Sequence, residues 1–209
     1  MKKFLLSWAV LAAAAGAAHA QESRLGFKAG ISFASYAGSD KTSSSSSKVG
    51  FHGGLVANLG LNDRFSLQPE LLYSMKGVAD QLTLGTTTIT GHQTLHYVDL
   101  PVLLKATFGR LFVEAGPQVG VLVGATQTIE SSASTAGTST ANKSTFNDVD
   151  FGYALGLGVQ TATGLMAGLR YNGGFANVVR GQTYGGRTVQ PNVHNSAFQL
   201  YIGFLFGGK

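Results

Sequence analysis

The stretch DVDFGYALGLGVQ, residues 148–160, decides the fold of this chain. Its odd positions, from Val149 to Val159, are all large and apolar, and its even positions, from Asp148 to Gln160, are glycine, alanine or polar. Because successive side chains of a strand point to opposite faces, this alternation predicts a β-strand with one apolar face and one small or polar face. The same alternation recurs along the rest of the chain, so the sequence predicts an all-β protein.

The alternating stretches are long, and the segments between them alternate in length. Each stretch is at least as long as the roughly 9–11 residues with which a tilted strand crosses a bilayer. The eight predicted strands are Leu25–Tyr36, Lys48–Gly60, Phe65–Val78, Thr94–Thr107, Leu111–Thr126, Asp148–Gln160, Gly164–Phe175 and Ser196–Phe206. Short turns are predicted at 61–64, 108–110 and 161–163, and long loops at 37–47, 79–93, 127–147 and 176–195. This asymmetry predicts an eight-stranded antiparallel up-and-down transmembrane β-barrel with short periplasmic turns and long extracellular loops.

Alternation alone does not say which face is inside, because a soluble lipocalin-like barrel places its apolar face inward around a ligand. Charged residues make up only 12% of the chain, against about 25% in typical soluble proteins. The polar faces are also dominated by glycine. Both features favour apolar side chains that face lipid, with Tyr73, Tyr153, Tyr171 and Phe175 as aromatic residues at the membrane interface.

Charged and ionisable side chains collect on the face that this arrangement turns inward. The interior of an eight-stranded barrel is just wide enough to be filled by side chains, so these charges are expected to neutralise one another. The sequence therefore predicts a network of ion pairs in the lumen, and not a pore, from Lys28, His52, Glu70, Lys76, Asp99, Lys105, Glu114, Asp150 and Arg170.

Three prolines fall inside predicted strands, at Pro69, Pro101 and Pro117. A closed sheet has no free edge to accommodate a residue without an N–H group. We expect bulges or local gaps in the ladder at these positions, in the half of the barrel next to the short turns.

The N-terminus has the features of a secretory signal peptide. Lys2 and Lys3 precede the apolar run 4–18, and Ala18-His19-Ala20 matches the pattern that signal peptidase requires. We expect residues 1–20 to be removed by cleavage between Ala20 and Gln21, leaving residues 21–209 as one barrel domain. The chain has no cysteine, which excludes disulfides and a lipid-anchored cysteine.

The formal net charge of +5 includes the two lysines of the signal peptide. No basic run or basic-aromatic cluster points to nucleic acid, so we expect no nucleic-acid partner. We also expect no cofactor.

The histidines are candidates for a catalytic or metal site. His96, Asp99 and Ser196 contain the side chains of a hydrolase, and His92 and His96 share one face of a strand. No pattern in the sequence fixes a triad geometry or supplies further metal ligands. The sequence therefore predicts no catalytic residue and no metal site.

The long loops contain two segments of low complexity, 43–47 and 131–144, composed mainly of serine, threonine, alanine and glycine. Such composition predicts solvated, mobile surface segments, available for contacts with a partner. Five basic residues in or near the long loops are expected to interact with lipopolysaccharide at the rim: Lys41, Lys48, Lys143, Arg180 and Arg187.

Several motifs resemble the PorT-like outer-membrane β-barrel family. They are FSLQPELLYSMKG at 65–77, YVDLPVLLK at 97–105, GPQVG at 116–120 and GLRYN at 168–172. The resemblance covers the mature chain and implies a barrel of the outer membrane of Gram-negative bacteria, inserted by the barrel assembly machinery. The named member of this family is associated with a protein secretion system.

The sequence thus predicts a monomeric, non-enzymatic barrel with a structural or interaction role, presenting its loops or supporting secretion or envelope assembly. Its expected partners are outer-membrane lipid, lipopolysaccharide, the barrel assembly machinery and a protein at the long loops. Two alternatives stay open at this point: a narrow channel for small solutes, and a soluble lipocalin-like ligand-binding barrel.

Overall fold

The structure is a computed structural model that describes residues 23–40, 45–84, 87–131, 134–140, 145–184 and 187–207. The predicted signal peptide and its cleavage site lie outside these residues. The strands are, in chain order, β1 (Ser23–Ala37), β2 (Ser45–Gly60), β3 (Phe65–Leu84), β4 (Thr87–Phe108), β5 (Leu111–Ser131), β6 (Ser134–Thr140), β7 (Val149–Gln160), β8 (Leu165–Asn177), β9 (Gln182–Tyr184), β10 (Arg187–Val189) and β11 (His194–Leu205). Among the described residues, no helix has the length and apolar character needed to span a membrane.

Eight of these strands form a closed antiparallel barrel. Around the ring they follow the order β1, β2, β3, β4, β5, β7, β8 and β11. The ring closes where β1 pairs with β11, from Gly26 opposite Leu205 to Ala37 opposite His194. Apart from this closing pair, neighbours in the ring follow one another along the chain, with only β6 and the β9–β10 hairpin between them. This up-and-down order confirms the predicted fold class.

Short turns connect the strands at one end of the barrel. In the turn between β2 and β3, Asn62 Oδ1 accepts hydrogen bonds from the backbone N–H groups of Arg64 (3.0 Å) and Phe65 (2.8 Å). Between β4 and β5 the turn consists of Gly109 and Arg110, and Gly109 has φ +65°. A two-residue hairpin turn requires such a positive φ, which glycine adopts without a steric penalty.

The two faces of the barrel differ in the way that the alternation predicts. Large apolar side chains such as Phe27, Ile31 and Leu155 are exposed on the outside. The buried inward positions carry polar and charged side chains, including Lys28 and Arg170. A lipocalin-like barrel requires the opposite arrangement, so the outward apolar band excludes that alternative and matches a barrel in the outer membrane.

The strands extend beyond the predicted ones at the end opposite the short turns. The predicted loop 79–93 is wrong, because β3 and β4 continue as a hairpin up to the pair Leu84 and Thr87. The threonines and Ile89 in this segment favour strands, and each added pair prolongs an existing ladder. The predicted loop 176–195 likewise contains the small hairpin of β9 and β10.

The low-complexity segments are also partly strands. β6 pairs with β5 from Thr126 opposite Thr140 to Ser131 opposite Ser134, so the predicted mobile segment is wrong over 134–140. Residues 45–47 belong to β2, whereas 43–44, 132–133 and 141–144 lie outside the described residues. Composition that cannot build a core can still add an edge strand, because the backbone bonds are then made to a neighbouring strand.

Each of the three prolines lies in a gap of a ladder. The gaps fall at Pro69 between β2 and β3, at Pro101 between β3 and β4, and at Pro117 between β4 and β5. The register is the same on both sides of each gap, as expected where a residue only lacks its N–H donor. The gaps therefore lie at the prolines, as predicted. Register shifts in the described strands occur at other positions, for example between His96 and Tyr97.

Candidate functional site

The lumen next to the short turns contains a layer of charges built around Arg170 of β8. Its guanidinium donates two hydrogen bonds to the Glu70 carboxylate, Nη1 to Oε2 (2.7 Å) and Nη2 to Oε1 (2.8 Å). Its Nε and Nη2 atoms also donate to Glu114 Oε1, at 2.8 and 2.5 Å. Arg170 thus joins β8 to β3 and β5 through the planar, bidentate geometry that suits arginine and carboxylates.

Lysine, glutamine and tyrosine side chains complete this lower layer. Lys28 Nζ lies 2.7 Å from Glu70 Oε2 and 4.4 Å from the ring centroid of Tyr201. The Tyr201 hydroxyl donates to Glu114 Oε1 (2.9 Å). Gln68 Nε2 donates to both carboxylates, at 2.8 Å to Glu70 Oε1 and 3.1 Å to Glu114 Oε2. The carboxylates therefore receive bonds from all sides, which is the condition under which buried charges are tolerated.

A second charge layer lies nearer the other end of the lumen, around Lys76 of β3. Its Nζ lies 3.1 Å from Asp99 Oδ1 and 3.1 Å from Asp150 Oδ2, and 4.6 Å from the ring centroid of Tyr97. Asn195 Nδ2 donates to the same Asp150 oxygen (2.9 Å). This layer has one cation and two carboxylates, a formal net charge of −1. The lower layer also includes Lys105, whose Nζ donates to Gln68 Oε1 (3.3 Å). Its three cations, Lys28, Lys105 and Arg170, exceed its two carboxylates, Glu70 and Glu114, so its formal net charge is +1.

Buried apolar clusters lie against both charge layers. The lower one consists of Val56, Phe112, Met166, Tyr201 and Leu205. The upper one includes residues of several strands and of the segments beyond them: Tyr36, Val78, Leu95, Tyr97, Leu122, Ala125, Phe146, Val178 and Val193. The lumen is thus occupied by side chains at successive levels, as expected for eight strands.

Inward-facing glycines make room for the largest interior side chains. A Cβ atom at Gly168 would lie 2.6 Å from the Tyr201 ring, and one at Gly158 would lie 2.5 Å from the Phe112 ring. The glycine-rich polar face therefore reflects the narrowness of the barrel, because there is no space for a side chain at every inward position.

All nine residues of the predicted interior network are buried inside the barrel. Eight of them belong to the two charge layers. His52 is separate, since its Nδ1 atom lies 2.9 Å from Ser32 Oγ and its ring packs edge-on against Tyr201. The neutral residues Gln68, Tyr97, Asn195 and Tyr201 were not singled out from the sequence, although their inward parity could have identified them.

The side chains considered for catalysis are not brought together. Asp99 faces inward and pairs with Lys76, whereas His96 lies on the outer side, where its Nδ1 is 2.6 Å from the Tyr73 hydroxyl and its Nε2 3.1 Å from Thr126 Oγ1. Among the described residues there is no group of three or more histidine, cysteine or acidic side chains that could hold a metal ion.

The aromatic residues expected at the membrane interface lie on the outside, in two groups on different strands. Tyr73 stacks on His96 at a centroid distance of 6.0 Å. Tyr153 contacts Tyr171 (6.1 Å) and Phe175 (5.1 Å). Both groups lie towards the end opposite the short turns.

Of the basic residues expected at the rim, two have partners that the structure describes. Arg180 Nη2 donates to Asp148 Oδ2 (2.7 Å), and Lys48 Nζ donates to Thr94 Oγ1. Arg187 lies in β10, while Lys41 and Lys143 lie outside the described residues.

A match to a protein-family model supports the fold. The family model described as outer membrane protein beta-barrel domain matches residues 19–180. None of the curated proteins matches the chain. Among solved structures, Ail, the attachment invasion locus protein of Yersinia pestis, is similar with 11% identity, 89% of this chain and 100% of that chain covered, and a TM-score of 0.48. Neisserial surface protein A has 15% identity, coverages of 88% and 99%, and a TM-score of 0.41. OprG from Pseudomonas aeruginosa has 10% identity, coverages of 91% and 98%, and a TM-score of 0.42.

Proposed function

Because the chain belongs to the outer membrane protein beta-barrel domain family, we propose that it is a non-conducting barrel that presents its long hairpins at the cell surface to a partner. The observation that carries this proposal is the filled lumen. Two charge layers and two apolar clusters occupy it at successive levels, and a conducting barrel needs a continuous path lined by water.

The length of the strands supports the presentation role. β3 and β4 contain 20 and 22 residues, about twice the roughly 9–11 residues that cross a bilayer. β5, with 21 residues, pairs with β4 on one side and with β6 on the other at the same end. A sheet of paired strands holds a surface in place better than an unstructured loop does, because its backbone bonds are already made.

The finer identity is part of the same proposal. We infer a PorT-like member whose hairpins support protein secretion or envelope assembly, on the basis of the motifs at 65–77 and 97–105. The expected setting is a monomer in the outer membrane of a Gram-negative bacterium, inserted by the barrel assembly machinery, with lipopolysaccharide around the rim near Lys48 and Arg180. The proposed role is structural or interactive, with no catalysis by the barrel itself.

Conductance in planar bilayers tests the filled lumen. The refolded protein is expected to give no steps, while a general porin measured in parallel gives them. Reproducible steps from the pure protein would overturn the proposal and favour the narrow channel.

Cysteine labelling in intact cells tests which end is presented. The chain has no cysteine, so Thr90→Cys in β4 and Ala162→Cys in the turn between β7 and β8 each provide a single thiol. A membrane-impermeant maleimide is expected to label Thr90→Cys in intact cells, and Ala162→Cys only after the outer membrane is permeabilised. The reverse pattern would contradict the proposed orientation.

A further inference from the structure

The short-turn end of the lumen opens into a polar pocket that neither charge layer contains. Its volume is about 240 Å³, below the roughly 300 Å³ at which pockets for drug-sized ligands begin. Its wall includes six polar or charged side chains: Arg24, Asn58, Asp63, Arg64, Ser66 and Gln160. A pocket of this size and polarity suits a small polar group.

The charge behind this pocket is positive. Lys105 is buried, and its Nζ atom donates to two amide oxygens, Gln160 Oε1 (2.6 Å) and Gln68 Oε1 (3.3 Å). The Nζ atom also lies 4.0 Å from the ring centroid of Phe112. Within the described part of the chain, no carboxylate lies within ion-pair distance of Lys105, and this cation accounts for the +1 charge of the lower layer.

Gln160 connects this cation to the pocket, because its side chain accepts from Lys105 and also forms part of the wall. A buried cation that is not neutralised by a carboxylate is unfavourable. An anion in the pocket would lie one hydrogen-bonded side chain away from Lys105 and would offset its charge.

The wall offers donors from several directions. Arg64 lies in the exposed turn between β2 and β3, and Arg24 adds a second guanidinium from β1. Asn58 Nδ2 donates to Ser66 Oγ (2.8 Å), so the Ser66 hydroxyl proton is directed to another acceptor. Asp63 is the carboxylate among these wall residues, and Arg64 together with the buried Lys105 behind the wall outweighs its charge.

We propose that this pocket binds a phosphate group, with Arg64 as a direct ligand and Lys105 contributing its charge through Gln160. Phosphate carries more negative charge at neutral pH than a carboxylate and accepts hydrogen bonds on all sides, which matches donors that surround the pocket. Free phosphate in the periplasm and the headgroup of an inner-leaflet phospholipid share this chemistry.

Titration calorimetry with inorganic phosphate tests the site on the mature protein folded in a phosphate-free detergent. The variants are Arg64→Gln, in an exposed turn, and Lys105→Gln. The folding of Lys105→Gln is checked by its heat-dependent shift, the difference in SDS-gel mobility between boiled and unboiled protein. Arg64→Gln is expected to weaken binding about tenfold, since a hydrogen bond to a charged group contributes about that factor. Lys105→Gln should also weaken binding, because it removes the buried positive charge behind Gln160. Arg180→Gln, at the opposite end and paired with Asp148, is the matched control and should bind like the unmodified protein.

A second titration, on protein reconstituted in phosphatidylglycerol vesicles, distinguishes the two sources. Binding that persists there identifies free phosphate as the ligand. Binding in detergent that disappears in the vesicles identifies the headgroup, which then occupies the pocket. The absence of binding in detergent, or equal binding by Arg64→Gln and Arg180→Gln, would overturn the proposal.

Discussion

Arg170 and Glu70 lie on opposite walls of the barrel and are joined across the lumen by two parallel hydrogen bonds of 2.7 and 2.8 Å. They are 100 positions apart in the sequence, on β8 and β3. Between these strands lie three others on each side of the ring. The pair therefore acts as a strut across the barrel, and the remaining interior side chains are arranged around it.

The first prediction concerns this strut. Arg170→Met should lower the free energy of unfolding by about 3–5 kcal/mol, because it leaves Glu70 and Glu114 buried without their main counter-ion. Urea unfolding in lipid vesicles, followed by the heat-dependent gel shift, measures the change. Arg180→Met is the matched control, since the Arg180–Asp148 pair is about half exposed, with both side chains 42% accessible. It should cost less than about 1 kcal/mol. If Arg170→Met lost as little free energy of unfolding as Arg180→Met, Arg170 would not support the barrel.

The second prediction concerns the fit between glycine and the interior side chains. Gly168→Ala should destabilise the barrel by about 1–3 kcal/mol, because its Cβ would lie 2.6 Å from the Tyr201 ring, which is held by Glu114. At Gly124 the same change brings Cβ no closer than 3.4 Å to the His96 ring, so Gly124→Ala is the control. The same unfolding assay compares them, and a Gly168→Ala variant as stable as Gly124→Ala would show that the lumen has spare room.

The barrel itself could be predicted from the sequence because one physical rule, the alternation of side chains across a strand, applies at every position. Phe151 and Gly152 illustrate this rule. Phe151 is large and apolar because it faces lipid, and Gly152 is small because it faces the crowded lumen. The ladder gaps were also predictable, because Pro101 lacks an N–H group whatever its surroundings.

The details of the lumen could not be read in this way. Alternation places Arg170 and Lys76 inside, but it does not say which carboxylate each contacts. That depends on the relative positions, along the barrel axis, of strands that are far apart in the sequence. The hairpin beyond Val78 could not be predicted, because the glycines among its threonines are typical of a loop. Its strand structure follows from the ladder below it, which is a tertiary effect.

The third prediction concerns the outer aromatic group. Tyr153 contacts Phe175 and Tyr171, and its ring covers Gly173, where an added Cβ would lie 2.7 Å away. Tyr153→Ala should lower the free energy of unfolding by about 1–3 kcal/mol, since it removes apolar burial and two ring contacts. Tyr153→Phe keeps the ring and should be close to neutral. If the phenylalanine variant lost as much as the alanine variant, the hydroxyl and not the ring contacts would be responsible.

The fourth prediction concerns the closure of the ring. Ser35 of β1 lies opposite Ser196 of β11, and paired residues in antiparallel strands have Cβ atoms about 4.5–5.5 Å apart. Since the chain has no cysteine, the double variant Ser35→Cys/Ser196→Cys should form one intramolecular disulfide under mild oxidation. Because this bond links the first and last strands of the ring, it should slow unfolding in urea and change the mobility of the heated protein until a reductant is added. Ser35→Cys with Val123→Cys, on β5 across the ring, is the control and should not cross-link within one chain. An uncrosslinked Ser35→Cys/Ser196→Cys protein that still shows the heat-dependent shift would mean that β1 and β11 pair in a different register.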